Sequence, residues 1–148
     1  MLNIVFLFMC IHANKTNALE GEKEYNVYID QLRTFYDAEG IPFKILIQPH
    51  ICSNRIMSVS LLDNANNLLY ELDSCSSFPY NYYDGFLDMS YIDVTGDDRE
   101  DIVIWALFST GIGPKGTEPL RRCVVYENTP DGYTLNLDIS ETLTEKED

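Results

Sequence analysis

The chain has 148 residues, a length that suits one domain, and a hydrophobic share of 45% that is enough to build a core. Its formal net charge of −14 repels phosphate backbones, so nucleic-acid binding is disfavoured, while metal cations and basic partners are favoured.

The N-terminus reads MLNIVFLFMCIHANKTNALEGEKE. Its apolar run, Leu2 to Ile11, is too short to span a bilayer as a helix but matches the h-region of a signal peptide. Thr16-Asn17-Ala18 offers small residues near a cleavage point, although no Lys or Arg precedes the run. The alternative is a buried N-terminal strand. Residues 1–18 are read as a signal peptide that sends the chain to the periplasm or the exterior, and 19–148 as a single domain with no membrane span. If Cys10 leaves with the signal, Cys52, Cys75 and Cys123 remain, enough for one disulfide and one thiol. Cys52 and Cys75 flank a predicted hairpin and would meet at its open end; three reduced, buried cysteines are the other reading. No Cys/His spacing suggests zinc.

GEKEYNVYIDQLRTFYDAEG (21–40) places Tyr25, Tyr28, Ile29, Leu32, Phe35 and Tyr36 at helical spacing, with Gly40 and Pro42 as a stop. FKILIQ (43–48) alternates and predicts a strand. RIMSVSLLD and NLLYELD surround the turn cluster Asn64-Ala65-Asn66-Asn67 and predict a hairpin. SYID and DIVIWALF predict strands on either side of an acidic loop. RCVVYEN and YTLNLD predict a last hairpin across Thr129-Pro130-Asp131-Gly132. The tail ETLTEKED shows no strand pattern and reads as frayed. The fold class that follows is mainly β, with antiparallel propeller-like or sandwich sheets and one N-terminal helix. No internal repeat marks out several blades.

The acidic loop is the most informative stretch. Between Asp88 and Asp101 stand six acidic residues against the single base Arg99. Asp93, Thr95, Asp97 and Asp101 occupy loop positions 1, 3, 5 and 9, alternate positions from which oxygens can turn inward. Calcium takes about six to eight oxygens, so these four side chains and the carbonyl of Arg99 at position 7 form a candidate calcium site. Position 12 is Ile104 and a strand follows, which excludes an EF-hand. A solvated acidic turn without metal is the alternative.

The segment DVTGDDREDIVI (93–104) resembles the calcium loops of FG-GAP and VCBS propeller repeats, with the pattern D-[VI]-[NTD]-G-D-G-x-x-D-[IL]. The resemblance covers about a dozen residues and implies Ca²⁺ on Asp93, Thr95, Asp97, Arg99 and Asp101 within a β domain. It departs at Asp98, where the pattern has Gly; that position needs a left-handed backbone, which Asp tolerates better than most residues. Over about 52–140, the order of hairpin, acidic loop, Gly-rich excursion and V-V-Y strand is similar in layout to small exported bacterial proteins, some of them periplasmic inhibitors of lysozyme-type toxins. That likeness implies a protein partner but assigns no inhibitory residue.

Two other stretches could contact a partner. FPYNYYDGF (78–86) gathers five aromatics, among them Tyr80, Tyr82 and Tyr83; packing at a sheet edge is the alternative. STGIGPKGTEP (109–119) is a long Gly- and Pro-rich connection from which Lys115 could reach an acidic group, and a plain solvated loop is its alternative. No helix pattern follows its Gly-x-Gly, so it is not a phosphate cradle. For catalysis, the chain offers only His12 and His50, and a carboxylate pair at Asp84 and Asp88. The reading is a non-enzymatic, exported, calcium-binding β module that binds another protein. A more specific version is an inhibitor or immunity protein for a basic cell-wall hydrolase, and a carboxylate-dependent hydrolase is the third reading.

Overall fold

The structure is a computed structural model and describes residues 31–50, 55–76 and 79–147. The signal-peptide segment, residues 21–30 of the predicted helix, Cys52 and Phe78 lie outside the described residues.

The chain forms two four-stranded antiparallel sheets, each a simple meander. The first holds β1 (Gln31–Tyr36), β2 (Pro42–His50), β3 (Ile56–Leu62) and β4 (Leu68–Glu71), in that order. The second holds β5 (Tyr82–Ile92), β6 (Asp101–Ser109), β7 (Leu120–Thr129) and β8 (Gly132–Leu135). Helix α1 (Leu137–Glu147) follows. The sheets share one apolar core. Ile45, Ile47, Met57 and Val59 enter it from the first sheet, and Phe86, Ile102, Ile104, Phe108, Val124 and Tyr126 from the second. Neither sheet closes on itself as a barrel.

Both predicted hairpins form. Asn66 takes φ 68° in the β3–β4 turn, and Asp63 accepts hydrogen bonds there from the backbone N–H of Asn67 at 2.8 Å and from its side-chain amide at 2.7 Å. Thr129 and Gly132 pair across the β7–β8 turn. Strand β6 is buried on both faces, as its unbroken apolar run leads one to expect. Ile102, Ile104 and Phe108 face the shared core, while Val103 and Trp105 face a second cluster with Ile139 and Leu143 of α1.

Two expectations are corrected. Residues 31–36 are not helical. They form β1, which pairs antiparallel with β2 from Gln31↔Ile47 to Tyr36↔Pro42. The helical spacing of Leu32, Phe35 and Tyr36 coexists with a period-two pattern in which Gln31, Arg33 and Phe35 are half-buried and Leu32, Thr34 and Tyr36 exposed. Pairing with β2 decides between the two, and Phe35 packs on Phe43 at 6.0 Å and Tyr91 at 5.8 Å. Gly40, at φ 76°, serves a hairpin turn rather than a helix stop.

The C-terminal tail is not frayed but helical. Asn136 caps α1 by accepting the Ile139 N–H at 3.0 Å, and Asp138 and Lys146 sit at the favoured ends of the helix dipole. The helix also completes β7. Strand β8 pairs only with residues 126–129 of β7. Beyond it, the Val125 N–H donates to Ser140 Oγ and the Cys123 N–H to Thr144 Oγ1, each at 2.9 Å and buried. Two hydroxyls one helical turn apart thus take over where the strand ends.

Replacing Thr144 by Val leaves a buried strand N–H without its acceptor. Urea unfolding should show a loss of about 1–3 kcal/mol for Thr144→Val, and a similar loss for Ser140→Ala. Wild-type stability in both variants would remove the helix from the account of β7.

Candidate functional site

The acidic loop links the end of β5 to the start of β6, and its hydrogen bonds are organised by three carboxylates. Asp93 Oδ1 accepts the Gly96 N–H at 2.7 Å and the Asp97 N–H at 3.3 Å, and its Oδ2 accepts the Asp98 N–H at 2.9 Å. These bonds, that from Gly96 first, hold the Asp93 carboxyl below the usual carboxylate range. Asp97 turns onto Arg99. Its Oδ1 accepts the Arg99 N–H at 3.0 Å, and its Oδ2 takes Nε at 2.9 Å together with Nη2. The Arg99 side chain is the main cause of its lowered pKa.

Asp101 differs from both in being fully buried. Its Oδ2 accepts the N–H groups of Val94 and Thr95 at 3.0 and 3.2 Å, and its Oδ1 accepts the Asn128 N–H of β7 at 2.9 Å. One carboxylate therefore joins the loop, the start of β6 and the end of β7. Gly96 and Asp98 take φ 79° and 63°. The left-handed backbone expected at position 98 is present.

Asp93, Thr95, Asp97 and Asp101 all lie in this loop, and Thr95 Oγ1 donates to Asp93 Oδ1 at 3.3 Å. Their oxygens have the hard character that calcium prefers. To hold a cation, the set would need Asp97 to leave Arg99. Every carboxylate oxygen of Asp93, Asp97 and Asp101 already accepts an N–H group, and Asp97 is paired with a guanidinium. Among the described residues, no three His, Cys, Asp or Glu side chains come together as a metal-holding group. Sequence reasoning gave Arg99 the role of a carbonyl ligand and missed its side chain, which supplies the loop with a positive charge of its own.

The second candidate region lies at the other end of β6. At about 3.3 Å per residue, the strand sets it roughly 26 Å from Asp101. Here the tyrosines divide. Tyr80 and Tyr83 are interior residues, each 1% exposed, and both pack edge-on against Phe108. Tyr80 also donates to the Cys123 carbonyl at 3.0 Å. Their expected role on a partner surface is corrected to core packing, because rings this large are buried when alternation turns them inward. Tyr82 remains exposed beside the 110–119 loop.

That loop is closed on itself. The Gly111 N–H donates to the Gly116 carbonyl at 2.7 Å, the Gly116 N–H to the Gly113 carbonyl at 3.1 Å, and the Glu118 N–H to the Lys115 carbonyl at 3.0 Å. A Cβ at Gly116 would lie 2.3 Å from the Ile112 backbone nitrogen, and one at Gly111 would lie 2.5 Å from the Tyr82 ring. At Gly116 only glycine lets backbone pass backbone so closely, and at Gly111 the left-handed φ of 68° favours glycine as well. Ile112 is left 66% exposed, and the Lys115 side chain projects into solvent close to Glu118, at 3.8 Å. The sequence signal for Ile112 was a large aliphatic residue between two glycines.

The two carboxylates weighed for catalysis are bound to different arginines. Asp88 pairs with Arg33 at 2.9 Å, while Asp84 lies 3.9 Å from Arg55 and has one buried oxygen without a partner in the protein. Cys75 sits at the open end of the β3–β4 hairpin, bridged to Met57, and burial pushes its thiol up to about 12.

Asp101→Asn should lower stability by about 1.5–3 kcal/mol in urea unfolding, since an amide cannot accept on both sides as the carboxylate does. Asp93 and Asp97 add a pH dependence. Their folded-state pKa values are depressed, so their contribution is complete above the unfolded value of about 3.9 and is lost as pH falls through the folded values. Asp93→Asn should flatten the acid limb of a stability–pH curve, and an unchanged limb would contradict this.

Comparison with protein-family models, with curated proteins and with solved structures finds no match for this chain.

Proposed function

We propose that the chain is a non-enzymatic, exported β module that binds another protein through the end formed by Tyr82, Ile112 and Lys115. One observation carries this reading. The 110–119 loop spends three internal hydrogen bonds and Gly111 and Gly116 on a conformation that leaves Ile112 in solvent. A stiff loop with an exposed aliphatic tip loses little entropy on docking, which is how a compact contact reaches useful affinity. Long connections of this kind are commonly functional. The apolar run Leu2–Ile11 supports export. The net charge of −14 would steer a basic partner, and a basic cell-wall hydrolase of the lysozyme type is the more specific version.

A second reading concerns the acidic loop and calcium. It is favoured by the oxygen spacing and by left-handed backbone at Gly96 and Asp98. It requires Arg99 to give up Asp97.

Two experiments test these readings. The purified chain is titrated into a turbidity assay of cell-wall lysis by basic hydrolases. Lysis should fall as the chain is added, and Ile112→Asp should weaken the effect by at least about 2 kcal/mol in affinity. Indifference to every hydrolase removes the inhibitor version; hydrolysis of peptidoglycan fragments by the chain alone overturns the non-enzymatic reading. For the metal, thermal melting is recorded with calcium and with chelator. Calcium at a hundredfold its dissociation constant should add about 2.7 kcal/mol, and Asp97→Ala should erase the difference. Identical melting curves for the wild type would leave Arg99 as the only counter-charge.

A further inference from the structure

Strand β4 ends the first sheet, and among the described residues no strand lies beyond it. Its one partner is β3, through Ser60↔Glu71, Leu61↔Tyr70 and Leu62↔Leu68. The outer row of backbone N–H and C=O groups is therefore unpaired by any described strand. All four β4 residues are exposed, and three are large and apolar: Leu68 at 60%, Leu69 at 61% and Tyr70 at 48%. Alternation puts Leu69 on the face opposite Tyr70. Proteins usually blunt such an edge with lysine or proline. Neither occurs in β4, and its shortness and the irregularity at Leu61/Leu62 are the protections it has.

The edge is also held in place. Just past it, the Leu72 N–H donates to the Val59 carbonyl at 2.9 Å, and the Tyr126 hydroxyl donates to the Asp73 carbonyl at 2.8 Å. Tyr70 rests near the β7–β8 turn, where a Cβ on Gly132 would lie 3.9 Å from its hydroxyl. The backbone row is thus presented by a strand fastened at its exit.

Charge selects the occupant. Residues 56–76 contain no Lys or Arg and three acids, Asp63, Glu71 and Asp73. A second copy would bring together two chains that each carry a net charge of −14 and repel one another. Lys44 already reaches into the turn beside Asp63, through Asn64 at 2.9 Å and Asn66 at 2.6 Å, so an extended segment carrying Lys or Arg would meet the opposite charge at the strand's exit, on the exposed Glu71 and Asp73. We propose that the free edge of β4 accepts an extended basic peptide segment of a partner protein as a fifth strand of the first sheet, with main-chain hydrogen bonds giving affinity and Leu69 and Tyr70 receiving alternate side chains. This surface is separate from Ile112 and stands whether or not that loop binds.

The test uses a labelled peptide of alternating valine and lysine, a valine–glutamate counterpart, and a valine–lysine peptide N-methylated at every residue, which has no pairing edge left. Anisotropy should show the first binding at least about tenfold tighter than the other two, because the second has the wrong charge and the third cannot form the ladder. Amide exchange of residues 68–71 should slow on binding. Leu69→Lys should weaken binding about tenfold, and Ile112→Asp should leave it unchanged. Equal binding of the N-methylated peptide, or protection elsewhere than 68–71, overturns the proposal even if Leu69→Lys fails to fold. Self-association in sedimentation that Leu69→Lys abolishes would assign the edge to a second copy and overturn it as well.

Discussion

A single buried carboxylate joins the parts of this molecule that matter most. Asp101 begins β6, the strand around which both apolar clusters form, and its two oxygens receive N–H groups from the acidic loop and from β7. Without those acceptors, three backbone donors near the sheet end would lack partners, at a cost comparable to a lost hydrogen bond each. The turn from β5 into β6 is thereby tied to the neighbouring hairpin, and the register of the central strand pair is fixed at its mouth.

The same economy of backbone partners governs the far side of β7. Strand β8 stops after Leu135, and a sheet edge left there would expose donors that α1 instead receives on Ser140 and Thr144. This arrangement explains why β6 is apolar on both faces. One face meets the other sheet, and the second lies under the helix. Among the described residues, the first sheet has no such cover at β4, and the contrast makes that edge informative.

How much of this was legible in the sequence varied with the range of the interactions involved. The two predicted hairpins were readable because their signals are local: Asn-rich and Pro-Asp-Gly turns between alternating apolar runs. Residues 31–36 were misread because the helical spacing of Leu32, Phe35 and Tyr36 masked an alternation that turns Phe35 inward and Leu32 and Tyr36 outward, and only pairing with β2 decides between the two. The C-terminal helix did carry signals, Asn136 as cap and Ser140 and Thr144 one turn apart, but its purpose lies in a contact with β7 that no local pattern displays. In the acidic loop, the resemblance to the propeller calcium loops implied left-handed backbone at position 98, which is present. It could not show that Asp101 is consumed by backbone donors or that Arg99 folds back on Asp97. The aromatic stretch split because alternate residues of a strand face opposite ways, leaving Tyr82 outside and Tyr83 within.

The molecule thus divides its labour along β6, with an acidic clasp at one end and a stiff, apolar-tipped loop at the other. The clasp is the part on which the rest depends, and amide hydrogen exchange tests it most directly. If Asp101 is the joint, the N–H groups of Val94, Thr95 and Asn128 exchange slowly and lose their protection together as the loop opens. Exchange of these three at the rate of an unstructured chain, with β6 still protected, would show that the carboxylate holds nothing.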